Sequence, residues 1–126
     1  MSGTQAQDAT RTCLAEVLTG ALSPLFPDAV FPQTYTGPLT RYVVWQYNVL
    51  GTVWAEGTAH AARYLVMVHF YLPHKENPQA AILALTRALF NVGTTWPNIT
   101  DASDAEGQHW VLECEYTDGG GYYGYV

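Results

Sequence analysis

Two glutamates separated by a single residue are the carboxylates best placed for acid–base chemistry. Glu113 and Glu115 lie in the alternating run QHWVLECEY, so on a β-strand both would point to one side at a separation of about 7 Å. That separation falls within the carboxylate spacing of inverting glycosidases. Strand alternation produces such pairs without any function, and nothing in the sequence predicts a raised pKa on either carboxylate. We therefore expect a structural pair whose strand face is solvated or lines a passage.

The histidines are the next groups that could do chemistry, because imidazole is a common zinc ligand. Four are present and could meet in space: His60, His69, His74 and His109. No CxxC or HExxH spacing supports a zinc site, so solvated or core histidines are the favoured interpretation.

An acidic turn and a few nucleophiles complete the list of reactive groups. Asp101, Asp104 and Glu106 could hold calcium, but the turn lacks the D-x-[DN]-x-[DN]-G pattern, which favours a solvated loop. No serine or cysteine lies in a catalytic signature, and neither G-x-G-x-x-G nor G-x-x-x-x-G-K-[ST] is present. The sequence therefore predicts a protein that is not an enzyme and needs no cofactor.

The composition favours a protein that works through its surface. Charged residues make up 13% and aromatic residues also 13%, whereas soluble domains contain about 25% charged residues. Protein interfaces are poor in charge and rich in tyrosine and tryptophan, so partners are expected to cover part of the exterior. A surface of threonine, asparagine, glutamine and glycine is the alternative interpretation.

Net charge, apolar segments and cysteine content limit which partners the protein can bind and where in the cell it is expected. The net charge is −6 and the few basic residues are scattered, which disfavours binding to a phosphate backbone but would let a DNA strand slide past. No secretory apolar region and no membrane-spanning run is present, so we expect neither secretion by a signal peptide nor a membrane span. Cys13 and Cys114 are expected to be reduced, buried thiols, as fits the cytoplasm.

The elements that must position these groups form one α+β domain of two helices and a mixed or antiparallel sheet of about four to five strands. The expected order is helix 6–22, strand 42–49, a glycine-bearing connection, strand 64–72, helix 77–93, and a hairpin of strands 96–100 and 108–116. In the second helix we expect Asn77 as the N-cap, Gly93 as the C-terminal signal, and an apolar stripe of Ile82, Leu85 and Leu89. A long irregular connection is expected between the first helix and the first strand, because four prolines interrupt it. Residues 1–5 and 117–126 are expected to be flexible ends or contact arms.

The run from Tyr64 to Leu72 is apolar on both of its alternating faces. Such a strand belongs in the middle of a sheet that is covered on both sides. The cover could come from the helices of this chain, from the proline-rich connection or from another subunit.

Four segments in this order resemble small tail-completion proteins of long, non-contractile-tailed bacteriophages and prophages, which are usually placed as tail terminators. The segments are RYVVWQYN at 41–48, LVMVHFYLP at 65–73, RALFNVG at 87–93 and TDASDAEGQHWVLECEY at 100–116. They look like the family's tyrosine-rich first strand, its V-x-V-H-x-[FY] strand, its glycine-closed helix end and its D-x-x-G-Q-H hairpin. The glycine- and tyrosine-rich end, Trp45 and Trp54 depart from the family pattern.

The resemblance implies a fold similar to lambda-type terminators, which assemble as a hexameric ring. Such a ring caps the head-proximal end of the tail tube, stops addition of tube subunits and docks the head-closure (connector) protein. It would be part of the virion and assemble in the host cytoplasm, with DNA only passing through and no membrane involved. Another head–tail joining or head-completion protein is the alternative, and a small metal- or carboxylate-dependent hydrolase is a minor one.

Two sets of residues are the candidates for these contacts. The candidate subunit or partner contacts are Trp54, Glu56, Tyr122, Tyr123 and Tyr125. The candidates for the lumen or solvent face are Glu113 and Glu115. We expect the first set to be covered on assembly and the second to stay wet.

Overall fold

The computed structural model describes residues 14–55 and 58–118. These residues form a layer of helices on one side of a five-stranded mixed sheet, which confirms the predicted α+β class. In chain order the elements are α1 (residues 14–22), β1 (Val30–Pro32), β2 (Tyr42–Ala55), β3 (Thr58–Leu72), α2 (Gln79–Asn91), β4 (Asn98–Asp101) and β5 (Gln108–Asp118). Residues 6–13 of the predicted first helix lie outside the described residues.

The sheet is built on a long hairpin between β2 and β3. The strand order is β1-β2-β3-β5-β4, with β1 parallel to β2 and every other neighbouring pair antiparallel. The predicted connection between residues 50 and 63 was wrong, because pairing continues to Ala55 and Thr58 through two irregularities of register. Valine, threonine and tryptophan in this stretch favour strand over loop, and one of the irregularities lies next to Gly51.

Two further boundaries differ from the prediction. The proline-rich connection contains a three-residue strand, β1, at the edge of the sheet, where proline such as Pro32 is tolerated. At the other end of the chain β5 continues through Thr117 and Asp118, which the sequence had placed in a terminal arm.

The core lies between the helices and one face of the sheet, the helix-covered face. Alternate residues of β3 from Tyr64 to Leu72 are at most 5% exposed there. Leucines spaced four apart on both helices pack against them, as an amphipathic helix requires: Leu14, Leu18, Leu22, Leu85 and Leu89. Cys114 belongs to the same cluster as a buried free thiol, and burial raises the pKa of that thiol.

Local sequence explains where α2 begins and ends. The Asn77 side chain accepts a hydrogen bond from the Gln79 N–H at 3.0 Å, and Pro78 is the N-cap, one residue later than predicted. Gly93 has a φ of 107°, the left-handed conformation that ends helices and favours glycine. The helix is therefore confirmed, with its C-terminal signal as predicted and its N-cap shifted by one residue.

The opposite side of the sheet is the bare face, formed by Gln46, Leu65, Met67, His69, Val111 and Glu113 together with their neighbours on the same side. The β3 residues on this face are half-buried, whereas the β3 residues from Tyr64 to Leu72 on the helix-covered face are buried. The buried side chains of both helices belong to the core on the helix-covered face. The expectation that β3 is covered on both sides is therefore met on one side only, as far as the described residues extend.

Candidate functional site

A ladder of aromatic rings crosses one end of the bare face. Stacked pairs join Phe31 to Tyr35 at 4.1 Å, Tyr42 to Tyr71 at 4.4 Å, and Tyr71 to His109 at 4.3 Å between ring centroids. The ladder follows the strand register, since Tyr71 lies directly opposite both Tyr42 and His109. Burial raises the pKa of the Tyr42 and Tyr71 hydroxyls. The ladder is thus a neutral, closely packed band.

Two histidines continue this band toward the centre of the face. His69 Nδ1 lies 2.8 Å from His109 Nε2, and Gln46 Nε2 lies 3.0 Å from His69 Nε2. Burial, and then repulsion from His109, lowers the pKa of His69; burial lowers the pKa of His109, while Asp104 opposes that shift. Both rings are therefore neutral at pH 7. The Gln46 amide can donate to His69, which in turn donates to His109.

Of the four histidines that could meet in space, His69 and His109 do so among the described side chains. His74 Nε2 donates instead to the Ala105 carbonyl at 3.0 Å, and the side chain of His60 lies outside the described residues. No three His, Cys, Asp or Glu side chains converge to hold a metal in the part of the chain that the structure describes.

The paired glutamates share the bare face as predicted. Glu113 lies opposite Met67 and Glu115 opposite Leu65. Glu115 Oε1 accepts a hydrogen bond from Arg63 Nη2 at 2.6 Å, so this carboxylate is held in an ion pair. The geometry supports the structural interpretation of the pair.

The acidic turn uses its carboxylates to hold its own backbone. Asp101 Oδ1 accepts from the Ser103 N–H at 2.9 Å, and hydrogen bonds from Ser103 lower the pKa of Asp101. Asp104 Oδ1 accepts from the Glu106 and Gly107 N–H groups at 2.9 and 3.3 Å. These Asx turns explain the residue types without a bound calcium ion.

A second surface lies on the other side of the sheet, between α2 and β4, and we call it the α2–β4 groove. It has a volume of about 380 Å³, and no charged residue lines it. Three of its lining side chains are large, apolar and exposed: Trp96 by 57%, Leu83 by 45% and Ile99 by 40%. Phe90, 50% exposed, packs edge-on against Trp96 at 5.2 Å between ring centroids. The described surface thus presents a connected apolar patch here.

One polar atom beneath this groove is unsatisfied. Thr86 lines the groove and is 2% exposed, yet its hydroxyl has no hydrogen-bond partner. A buried hydroxyl without a partner costs about 1–3 kcal/mol in a protein. The groove therefore combines exposed apolar surface with an unused polar group.

The groove was not predicted from the sequence. Leu83 and Phe90 lie off the predicted stripe of Ile82, Leu85 and Leu89, and Trp96 was placed in a hairpin strand. Two bulky apolar residues on the polar side of an amphipathic helix were the available signal.

Most of the predicted contact residues lie outside the part of the chain that the structure describes. The Trp54 backbone belongs to β2, opposite Ala59, whereas the Trp54 side chain, Glu56, Tyr122, Tyr123 and Tyr125 lie outside the described residues. Their expected contacts stay predictions.

Comparison with known proteins leaves these surfaces as the main guide to function. Within the described residues, no helix has the length and apolar character needed to cross a membrane. No protein-family model matches the sequence, and no curated protein matches it.

Proposed function

We propose that this protein is a structural virion component that forms a ring, of six subunits by the resemblance, at the head-proximal end of a bacteriophage tail tube. The ring stops tube growth and provides the docking surface for the head connector. The supporting observation is the contrast between two surfaces of one rigid sheet: an uncharged apolar groove and a bare face whose polar groups are largely paired. The resemblance of the four segments supplies the phage context.

The α2–β4 groove suits the contact between subunits. Contiguous exposed apolar surface marks protein interaction sites, and tryptophan is enriched among residues that dominate binding energy. A closed ring needs a heterologous contact, in which one patch of each subunit meets a different patch of the next. The groove supplies one of these two patches.

The bare face suits the passage through the ring. Its charged side chains include Arg63, Glu113 and Glu115, and neutral rings occupy the region around His69. A weakly acidic surface without clustered cations does not displace the counterions of DNA, so DNA can move past it without being held. This assignment keeps Glu113 and Glu115 at the lumen, and a ring with a basic lumen would contradict it.

Electron microscopy combined with a tube-growth assay tests the proposed function. The purified full chain is imaged alone, then added to polymerising tail-tube protein, with the Leu83→Glu variant as a control for specific capping. We expect rings alone, and tubes that carry a ring at one end and stop growing when the wild-type chain is added. A chain that stays monomeric and leaves tube growth unchanged would contradict the proposal, whereas rings that bind only a portal or connector would favour another head–tail joining protein.

A further inference from the structure

We propose that the α2–β4 groove of one subunit binds Val49 and Leu50 of the next subunit, two apolar residues of β2 that we call the β2 patch. The inference rests on the proposed ring. It names the second of the two patches that a repeated, heterologous contact requires.

The β2 patch is apolar surface that the subunit itself leaves uncovered. Val49 is 62% exposed and Leu50 is 46% exposed. Val49 lies opposite Tyr64 and Gly51 lies opposite Arg63, so Leu50 is an extra residue with no β3 residue opposite it. An extra residue of this kind makes a bulge, which bends the strand and re-aims its side chains.

The patch matches the groove in chemistry. In the described part of the chain, three exposed large apolar residues lie outside the groove and its rim: Leu39, Val49 and Leu50. Val49 and Leu50 are adjacent, whereas Leu39 stands alone. Residues 48–52, NVLGT, carry no charge, and no charged residue lines the groove. Joining the two surfaces therefore removes apolar area from water without burying a charge.

The strand register places the patch and the groove at opposite ends of one row of residues across the sheet. Val49 lies opposite Tyr64, Tyr64 lies opposite Tyr116, and Tyr116 forms a bridge with Thr94. Trp96 of the groove follows Thr94 by two residues. The row crosses three strand spacings of about 4.8 Å each, or about 14 Å. Within one subunit the sheet therefore holds the patch away from the groove.

Copies placed side by side along this row bring the patch of one to the groove of the next. Val49 lies on the helix-covered side, because it is opposite buried Tyr64. Ile99 of the groove lies on the same side, because it is opposite buried Leu112. The contact therefore forms on the helix-covered side and leaves the bare faces of successive copies toward the passage of the ring.

The unpaired Thr86 hydroxyl also fits a bulged strand. This hydroxyl is buried, lines the groove and has no hydrogen-bond partner, which is uncommon for a buried polar group. A bulge leaves the extra residue out of the strand ladder. The backbone of Leu50 can therefore pair with the Thr86 hydroxyl when the patch enters the groove.

Two complementary variants of the full chain test the contact. Leu83→Glu blocks the groove and leaves the patch intact, whereas Leu50→Glu blocks the patch and leaves the groove intact. Leu39→Glu is the matched control, since it makes the same change at a similarly exposed leucine beside Tyr42 and Tyr71, at the other end of the sheet.

Native mass spectrometry measures the assembly of each variant, and circular dichroism checks that each is folded. If Leu50→Glu does not fold, Val49→Glu takes its place, because Val49 is the more exposed residue of the patch.

The expected result is a ring for the wild type and for Leu39→Glu, and monomers for Leu83→Glu and for Leu50→Glu alone. A mixture of the two monomeric variants should give a heterodimer that grows no further, because it holds one intact patch and one intact groove. Rings formed by either variant alone, or a mixture that stays monomeric, would overturn this inference and leave the ring itself standing. A wild-type chain that never assembles would overturn the proposed function as well.

Discussion

The bare face and the α2–β4 groove are both accessible, but they are built differently. The bare face carries an ion pair between Arg63 and Glu115 and a hydrogen-bonded histidine pair. None of its central residues is among the exposed large apolar side chains, whereas the groove has Leu83, Trp96 and Ile99 among them. The polar groups of the first surface are satisfied by one another and by water. Covering the second surface removes apolar area from water, which is favourable. Accessibility alone therefore does not identify an interface, because the pairing of polar groups must also be considered.

The largest predicted effect separates the two sides of the sheet in their contribution to stability. Phe70→Ala removes a fully buried ring from the helix-covered face, so the free energy of unfolding should fall by about 3–5 kcal/mol. Met67→Ala on the bare face should cost less, about 1 kcal/mol, because the side chain is only half-buried. Urea denaturation measures both. Equal losses would mean that the bare face holds the fold together as strongly as the core does.

The second prediction separates the groove from the bare face in assembly. Trp96→Ala removes the most exposed ring of the groove, so association should weaken by at least about 2 kcal/mol, as at an interface hot spot. Met67→Ala should leave association unchanged. Sedimentation velocity over a concentration series gives the two constants, and a stronger effect at Met67 would reverse the roles of the two surfaces.

The third prediction uses pH to distinguish the same surfaces. Since the folded-state pKa values of His69 and His109 are lowered, their stabilising contribution is fully present above the unfolded histidine pKa of about 6.5. It is lost as the pH falls through the folded-state values. Thermal melting from pH 7.5 to 5 should therefore show a falling melting temperature, and His69→Gln with His109→Gln should flatten the profile.

Assembly should respond to pH differently from stability. The groove lining holds no titratable side chain, so association constants corrected for the folded fraction should change little over the same range. A steep pH dependence that the double variant removes would place the histidine pair in the interface.

The smallest predicted effect concerns the unpaired hydroxyl beneath the groove. Thr86→Val replaces that hydroxyl with a methyl group, so the isolated subunit should gain about 1 kcal/mol of stability. If a neighbouring subunit that covers the groove pairs with this hydroxyl, the same change should weaken the ring. Melting temperature and association constant, measured on the same preparation, should therefore move in opposite directions. If the melting temperature and the association constant both rose or both fell, the Thr86 hydroxyl would not be part of the contact.

Patterns with a strong local cause were predictable from the sequence. The alternation of β3 and the end signals around α2 at Asn77 and Gly93 specified those elements. The shared face of Glu113 and Glu115 followed from the strand period of two. The long hairpin was missed because Gly51 and Gly57 indicate a connection locally, whereas pairing with β3 keeps the chain extended at Gly51.

The two surfaces could not be predicted from the sequence, because each depends on how distant segments align in the sheet. Four histidines cannot be paired from sequence, and only the alignment of β5 with β3 brings His109 next to Tyr71 and within reach of His69. Likewise, Trp96 and Leu83 form one groove only because β4 lies beside α2. These contacts join residues that are distant along the chain, so local propensity carries no information about them.

The central claim is that assembly covers the α2–β4 groove and leaves the bare face in contact with water. Hydroxyl-radical footprinting of the wild-type chain and of its Leu83→Glu variant, read by mass spectrometry, tests it most directly. The account predicts that Trp96 is modified far less in the assembled wild type, while Met67 is modified equally in both. Protection of Met67 with Trp96 still fully reactive would contradict it.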